Sequence, residues 1–384
     1  MSEYQYYEFV AIDRPLTAAE QNELRAVSTR GRISASSFVN TYEWGDLKAD
    51  PRDWMQRYFD AHLYLANWGT RRIALRLPVS LLDPALAATY CVGHAASSLS
   101  TGEHVILDLH SEDEDGDEEW WEDEAALASI VPVRAELAAG DTRLLYLAWL
   151  LCVQNEELDE DSLEPPVPPG LATLSGPLRS FAGFLRLDED LLETAAEAST
   201  PLTTKAPSTA ALTKWVKRLP AADKDQVIVR LLRGDGAHLR AELLRRYGGG
   251  APTEVAGGGR TVGELLAGAE RRWAARERQT QERKAAEQAG REAAAAAARE
   301  QRLDDLATDP ERAWQQVADL IATKKPKEYD AAVALLADLK ALSERDGQRK
   351  TFRARIHQLC QEHARKPSLL DRLERAGLYV STAS

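Results

Sequence analysis

The chain of 384 residues is 44% hydrophobic and 28% charged, which is typical of a folded globular protein of two or three domains. Its longest apolar run, residues 144–153, has about half of the roughly 18 residues that a membrane helix needs, which argues against a membrane protein. The net charge of −13 is uneven: residues 1–200 hold 14 Lys and Arg against 36 Asp and Glu, and residues 201–384 hold 34 against 25. This division predicts either two surfaces with different partners or two halves that attract each other.

The first 110 residues alternate between strand-like and helix-like patterns. Segments rich in aromatic and β-branched residues predict strands, at 4–12, 36–44, 72–77 and 104–110. Capping residues and helical spacing predict helices, at 16–27, 51–67 and 83–91. The first of these helices has Thr17 as its N-cap with Glu20 three residues later, as in a capping box. We therefore expect an α+β or α/β domain over residues 1–155, with helices covering at least one face of its sheet.

An acidic run interrupts this domain at residues 112–124, where ten of thirteen residues are Asp or Glu. Such a run repels itself and predicts a solvated loop. The alternative is a docking site for a basic partner surface, with Glu118, Glu119, Trp120 and Trp121 as the contact residues. The spacing of a calcium-binding loop is absent, so we do not expect specific calcium binding.

The rest of the chain is predicted to be mainly helical, with breaks set by composition. Residues 156–170 (EELDEDSLEPPVPPG) predict an acidic, proline-rich linker. The remaining predicted segments are a helical region at 171–247, a glycine-rich break at 248–259, a long charged helix at 260–308 and a helical-repeat-like bundle at 309–384. The long helix begins with a capping box of Thr261 and Glu264. Alanine is its only apolar residue over 276–302, which predicts a single charged helix or a weak coiled coil.

Two stretches resemble known families. The stretch from YQYYEFVAIDRP to PPVPPGL, residues 4–171, resembles a family of uncharacterised bacterial proteins, and this resemblance implies no activity. The tail from AWQQVADLIATKKPKEYD to RLERAGL, residues 313–378, resembles the helical tail of some bacterial SWIM zinc-finger proteins. The Cys-x-Cys and Cys-x-His zinc ligands of that family are absent here. The resemblance therefore implies only a helical-repeat tail of the kind that binds another protein.

The best metal or catalytic candidates lie on the predicted strand at 104–110. His104, Asp108 and His110 would share one face of a strand, with His94 nearby in the sequence, and such a set suits a divalent metal. The alternative is an amphipathic strand whose polar face meets water. The spacing matches no known ligand motif, so this alternative is favoured and no cofactor is predicted.

The three cysteines, Cys91, Cys152 and Cys360, are widely spaced and form no Cys-x-x-Cys pair. This pattern argues against a disulfide framework and against a cysteine-rich zinc site. We expect each cysteine to act as a small core residue.

The best nucleic-acid candidates are basic residues in the helical region, where Lys and Arg outnumber Asp and Glu. They are Lys214, Lys217, Arg218, Arg230, Arg233, Arg245 and Arg246. Aromatic residues lie only at the ends of this cluster, at Trp215 and Tyr247, so an ordinary solvated helix face is the favoured alternative.

The common signatures of catalysis are missing from the sequence: it has no P-loop, no Gly-x-Gly-x-x-Gly opening a helix, no Gly-x-Ser-x-Gly and no His-Glu-x-x-His. We therefore expect a non-catalytic interaction or scaffold component of a bacterial multi-protein system. It would dock through the acidic loop and the helical C-terminal arm onto another protein with a basic surface. A nucleic-acid-associated protein is the second hypothesis, with weak binding by the C-terminal half, and a metal-dependent enzyme is the third. The N-terminus lacks a cationic segment followed by an apolar one, so we expect a cytoplasmic protein.

Overall fold

The computed structural model describes residues 4–113, 126–202, 208–232, 239–248 and 259–379. The chain divides into two compact units, Met1–Arg276 and Glu277–Ser384. Within the described ranges, no helix is both long enough and apolar enough to cross a membrane.

The first unit is built on a seven-stranded sheet in which every neighbouring pair is antiparallel. The strands are β1 Gln5–Val10, β2 Arg32–Ile33, β3 Ser37–Tyr42, β4 Ala61–Ala66, β5 Arg71–Pro78, β6 Ala96–Ser100 and β7 His104–Ser111. Their spatial order is β2-β3-β1-β4-β5-β7-β6. An antiparallel sheet combined with helices is an α+β arrangement, which confirms the predicted fold class.

Twelve helices of the described ranges begin in the first unit. They are α1 Ala18–Val27, α2 Pro51–Arg57, α3 Pro84–Tyr90, α4 Leu127–Ile130, α5 Val133–Ala138, α6 Arg143–Gln154, α7 Gly176–Phe184, α8 Glu189–Ala196, α9 Thr209–Arg218, α10 Ala221–Leu232, α11 Leu239–Gly248 and α12 Val262–Thr308. The capping box predicted for α1 is confirmed. The Glu20 amide donates to the Thr17 hydroxyl at 3.3 Å, and the Thr17 amide donates to the Glu20 carboxylate at 2.7 Å.

Helices cover both faces of the sheet, because its strands alternate apolar side chains between the two sides. The first face carries residues such as Leu63, Ile73 and Leu107, and it shares one core with α6, which is buried from residue 143 to residue 153. The second face carries residues such as Phe9 and Phe38, and it packs against α1 and α2.

The prediction of one helix over residues 51–67 is wrong. The helix α2 ends at Arg57, and residues 61–66 form β4 between β1 and β5. The aromatic residues here recur at helical spacing, which led to the wrong prediction. Leu63 and Leu65 alternate with His62 and Tyr64, as in a strand with two covered faces, and pairing with β1 and β5 buries the segment almost completely. The strands β2 and β6 were not predicted either.

Residues 164–170, the second half of the predicted linker, pack against the core of the first unit. The Glu164 side chain is fully buried and accepts hydrogen bonds from Arg260 at 2.9 and 2.7 Å and from the Tyr146 hydroxyl. Val167 belongs to the same apolar core as the sheet. The prolines end helical structure as expected, but Glu164 before them and Val167 among them find partners that are distant in sequence.

The C-terminal half is helical, as predicted. The helix α12 has 47 residues, which corresponds to about 70 Å, and residues 281–302 of it are all exposed. It is followed by α13 Pro310–Ala322, α14 Pro326–Arg345, α15 Arg349–Glu362 and α16 Pro367–Arg375. Residues of these four helices, including Val317, Leu336, Ile356 and Leu369, share a separate core.

Candidate functional site

Strand register brings a group of polar side chains together on the second face of the sheet. On β7, Asp108 lies between Ala74 of β5 and Ser97 of β6. Two residues along, His110 pairs with Arg72 of β5, which in turn pairs with Tyr64 of β4. Alternate residues of a strand share one face, so these polar side chains form a continuous patch.

This patch forms one wall of a cleft of about 320 Å³. Its lining is mainly polar and charged, and it includes Arg52, Arg72, His94, Ser97, Asp108 and His110. Arg52 reaches the cleft from α2, and His94 reaches it from the loop between α3 and β6. The cleft therefore has the size and polarity to hold a small polar group or an ion.

Two arginines donate hydrogen bonds to the carboxylate of Asp108. The Nε atom of Arg72 donates to Asp108 at 2.5 Å, its Nη2 atom donates a second hydrogen bond, and the Nε atom of Arg52 donates at 3.3 Å. Burial opposes ionisation of Asp108, but the hydrogen bonds and positive charges of Arg72 and Arg52 hold its pKa below the ordinary value. This carboxylate is therefore a structural counter-charge between α2 and the sheet, and its oxygens are not free to bind a metal.

His110 is paired with His94. The Nε2 atom of His110 and the Nδ1 atom of His94 share a hydrogen bond of 3.0 Å, and the two ring planes are nearly perpendicular, at 89°. Burial and the neighbouring His94 lower the pKa of His110 from its ordinary value. Sequence reasoning placed His94 only near the candidates, and the structure makes it the direct partner of His110.

His104 does not join this group. It lies on the same face of β7 but four residues from Asp108, which is about 13 Å along a strand. The three residues predicted as a metal site, His104, Asp108 and His110, therefore do not converge. In the part of the chain that the structure describes, no three His, Cys, Asp or Glu side chains come together as a possible metal site.

The basic residues predicted to contact nucleic acid fall into two groups. Lys214, Lys217 and Arg218 are exposed on α9. Arg230, Arg245 and Arg246 are bound within the protein: Arg230 pairs with Glu242 at 2.8 Å, Arg246 pairs with Asp223 at 2.6 Å, and Arg245 donates to the carbonyl groups of Ser80 and Leu81. The predicted contacts thus form no single free surface. Arg233 lies outside the described residues.

An apolar face on α10 was not predicted. Four large side chains there are exposed: Ile228 by 54%, Val229 by 45%, Leu231 by 61% and Leu232 by 81%. They lie within five consecutive residues, and neither α9 nor α10 has any buried residue. The run VIVRLL at 227–232 was the available signal in the sequence, but its helical periodicity is equally typical of a core face.

The acidic-loop candidates Glu118, Glu119, Trp120 and Trp121 lie outside the described residues. Comparison of the chain with protein-family models, with curated protein sequences and with solved structures finds no match.

Proposed function

We propose that this protein is a non-catalytic interaction component that binds another protein through the exposed apolar face of α10. The observation that carries the proposal is the exposure of Ile228, Val229, Leu231 and Leu232 within five consecutive residues of α10. Isolated exposed apolar residues are common on protein surfaces, but a contiguous group of four large ones marks a contact surface. The sheet and its helices already have complete cores elsewhere, so this face is not needed for their packing.

The charges of the helix that precedes α10 in the chain favour an acidic partner. The neighbouring helix α9 carries Lys214, Lys217 and Arg218 and has no acidic residue. An amphipathic helix with apolar anchors and flanking Asp or Glu residues would match both features, because apolar contacts supply affinity and opposite charges speed association. The exposed residues 281–302 of α12 offer a second surface for contacts with the same assembly.

Nucleic-acid binding is less well supported by the same region. Charge-driven binding to phosphates depends on free Lys and Arg side chains, and three of the six described candidates have partners within the protein. Exposed Ile, Val and Leu side chains add nothing to phosphate contacts. A metal-dependent enzyme that uses Asp108 has no support, because Arg52 and Arg72 occupy this carboxylate.

The test is capture of partners from a nuclease-treated lysate of the native host on the immobilised full-length chain. The variant Ile228→Ser with Leu232→Ser should lose a captured protein that the wild type retains, with affinity lowered at least about tenfold, because each removed anchor is worth more than about 1 kcal/mol. The matched control is Gln226→Ser, an exposed position on the same helix.

Charge is tested separately with Lys214→Gln and Lys217→Gln together, which should weaken the same binding more at low salt than at high salt. Retention of the same proteins by the wild type and by the double serine variant would contradict the proposal. Capture of nucleic acid alone, from a lysate not treated with nuclease, would favour the second hypothesis.

A further inference from the structure

The arrangement of His94 and His110 goes beyond what a protein-binding module needs. Their two ring nitrogens face each other at 3.0 Å at the wall of the cleft. Two imidazole ligands at about 2.0–2.1 Å from one tetrahedral metal ion have nitrogen atoms about 3.3 Å apart. The observed separation is thus within a few tenths of an ångström of the spacing that one metal ion requires.

The backbone holds both histidines in place. The His110 amide donates to the carbonyl of Ala95 at 2.9 Å, which ties β7 directly to the loop that carries His94. The Ala95 amide donates to the carboxylate of Glu157 at 2.9 Å, and the Gly93 amide donates to the carbonyl of Ala96 at 3.2 Å. These hydrogen bonds fix the backbone on both sides of His94 and supply the preorganisation that a ligand site needs.

The surroundings of the pair suit a cation. Two positive charges line the cleft, Arg72 (the neighbour of His110 on β5) and Arg52, and Asp108 offsets one of them. The exposed carboxylate of Glu112 lines the same cleft and offsets the second of these positive charges. Neutral imidazole suits Zn²⁺, Co²⁺, Ni²⁺ and Cu²⁺, whereas Mg²⁺ and Ca²⁺ prefer oxygen ligands.

We infer that His94 and His110 form a two-imidazole binding site for a divalent transition metal ion of the zinc class. The ring that now donates the shared hydrogen bond would move its N–H to its other nitrogen, so that both facing nitrogens present lone pairs and no net proton is released. Water or a group from a ligand in the cleft would complete the coordination of the ion. This inference does not depend on the protein-binding role of α10, because the two sites share no residue.

The test is titration of the full-length chain with Co²⁺, whose visible absorption reports nitrogen ligands and tetrahedral geometry, followed by competition with Zn²⁺. We expect one ion per chain, resistant to a large excess of Mg²⁺. The variant His94→Ala should weaken binding by at least about 100-fold, since even the loss of a residue that only orients a ligand costs 10–100-fold. The matched control is His104→Ala on the same strand face, which should bind as the wild type does.

The His94 side chain is exposed, so its replacement leaves the core unchanged, and far-UV circular dichroism checks the fold of each variant. Loose binding by the acidic run at 112–124 would persist in His94→Ala and would be displaced by Mg²⁺. Equal Co²⁺ affinity in the wild type and in His94→Ala with His110→Gln would overturn the inference. So would a wild-type chain that shows no absorption from nitrogen-bound Co²⁺.

Discussion

Asp60 provides the sharpest test of what holds the first unit together. It lies in the turn between α2 and β4 and is completely buried. One carboxylate oxygen accepts hydrogen bonds from the amides of Ile12 and Asp13 at 2.6 and 2.8 Å. The other accepts two from Arg76, at 3.1 and 2.7 Å, and lies 3.9 Å from Arg134. Asp60 therefore joins three parts of the chain that are distant in sequence.

The substitution Asp60→Asn tests the charge without creating a cavity, because Asn has nearly the volume of Asp. It removes the counter-charge of the buried Arg76 and directs an amide N–H₂ group toward other donors. Breaking a buried ion pair by removing one partner costs about 3–5 kcal/mol, a large share of the roughly 5–15 kcal/mol by which a typical domain is stable. At a urea m value of about 3 kcal/mol/M, the unfolding midpoint should fall by about 1–1.7 M.

The assay is urea unfolding followed by tryptophan fluorescence and far-UV circular dichroism, since Trp54 is buried in the core of the second face. The control is Glu43→Gln, which removes one negative charge from an exposed position of the same unit and should leave the midpoint almost unchanged. Equal midpoints for Asp60→Asn and Glu43→Gln would refute the reasoning. The charge of the Asp60 carboxylate would then contribute nothing measurable to the free energy of unfolding.

Three further measurements test other parts of the first unit. Burial lowers the pKa of His62 to about 3, against about 6.5 in an unfolded chain. The free energy of unfolding should therefore fall as the pH falls from 6.5 toward 3, by up to about 1.4 kcal/mol per pH unit. The urea midpoint should depend less on pH in His62→Leu, and an unchanged dependence would contradict this. Gly69→Ala should unfold at lower urea than Gly102→Ala, because both glycines have a positive φ but only at Gly69 would a Cβ meet the carbonyl oxygen of Asp113, at 1.7 Å. Burial raises the pKa of Cys152 to about 11, so iodoacetamide at pH 8 should label it only after denaturation, and rapid labelling of the folded chain would argue against this burial.

The sequence alone determined the features that depend on near neighbours. The capping boxes at Thr17 and at Thr261 and the helix start at Asp309 with Pro310 are all present, because an N-cap is satisfied by groups within three residues. The long charged helix and the helical C-terminal half were predicted from composition and helical spacing, which are also local features. The strand at 104–110 and the side chains that share its face also followed from alternation alone.

The tertiary structure decided everything that depends on pairing between distant segments. Residues 61–66 became β4 only because β1 and β5 flank them, which local helical spacing does not reveal. Asp108 was a plausible metal ligand until two arginines, 36 and 56 residues away, were found on its carboxylate. His94 meets His110 because β6 lies beside β7 at the edge of the sheet. The free energy of such contacts comes from burial and from charge pairing between elements, and a single sequence records which residues are available but not which of them meet.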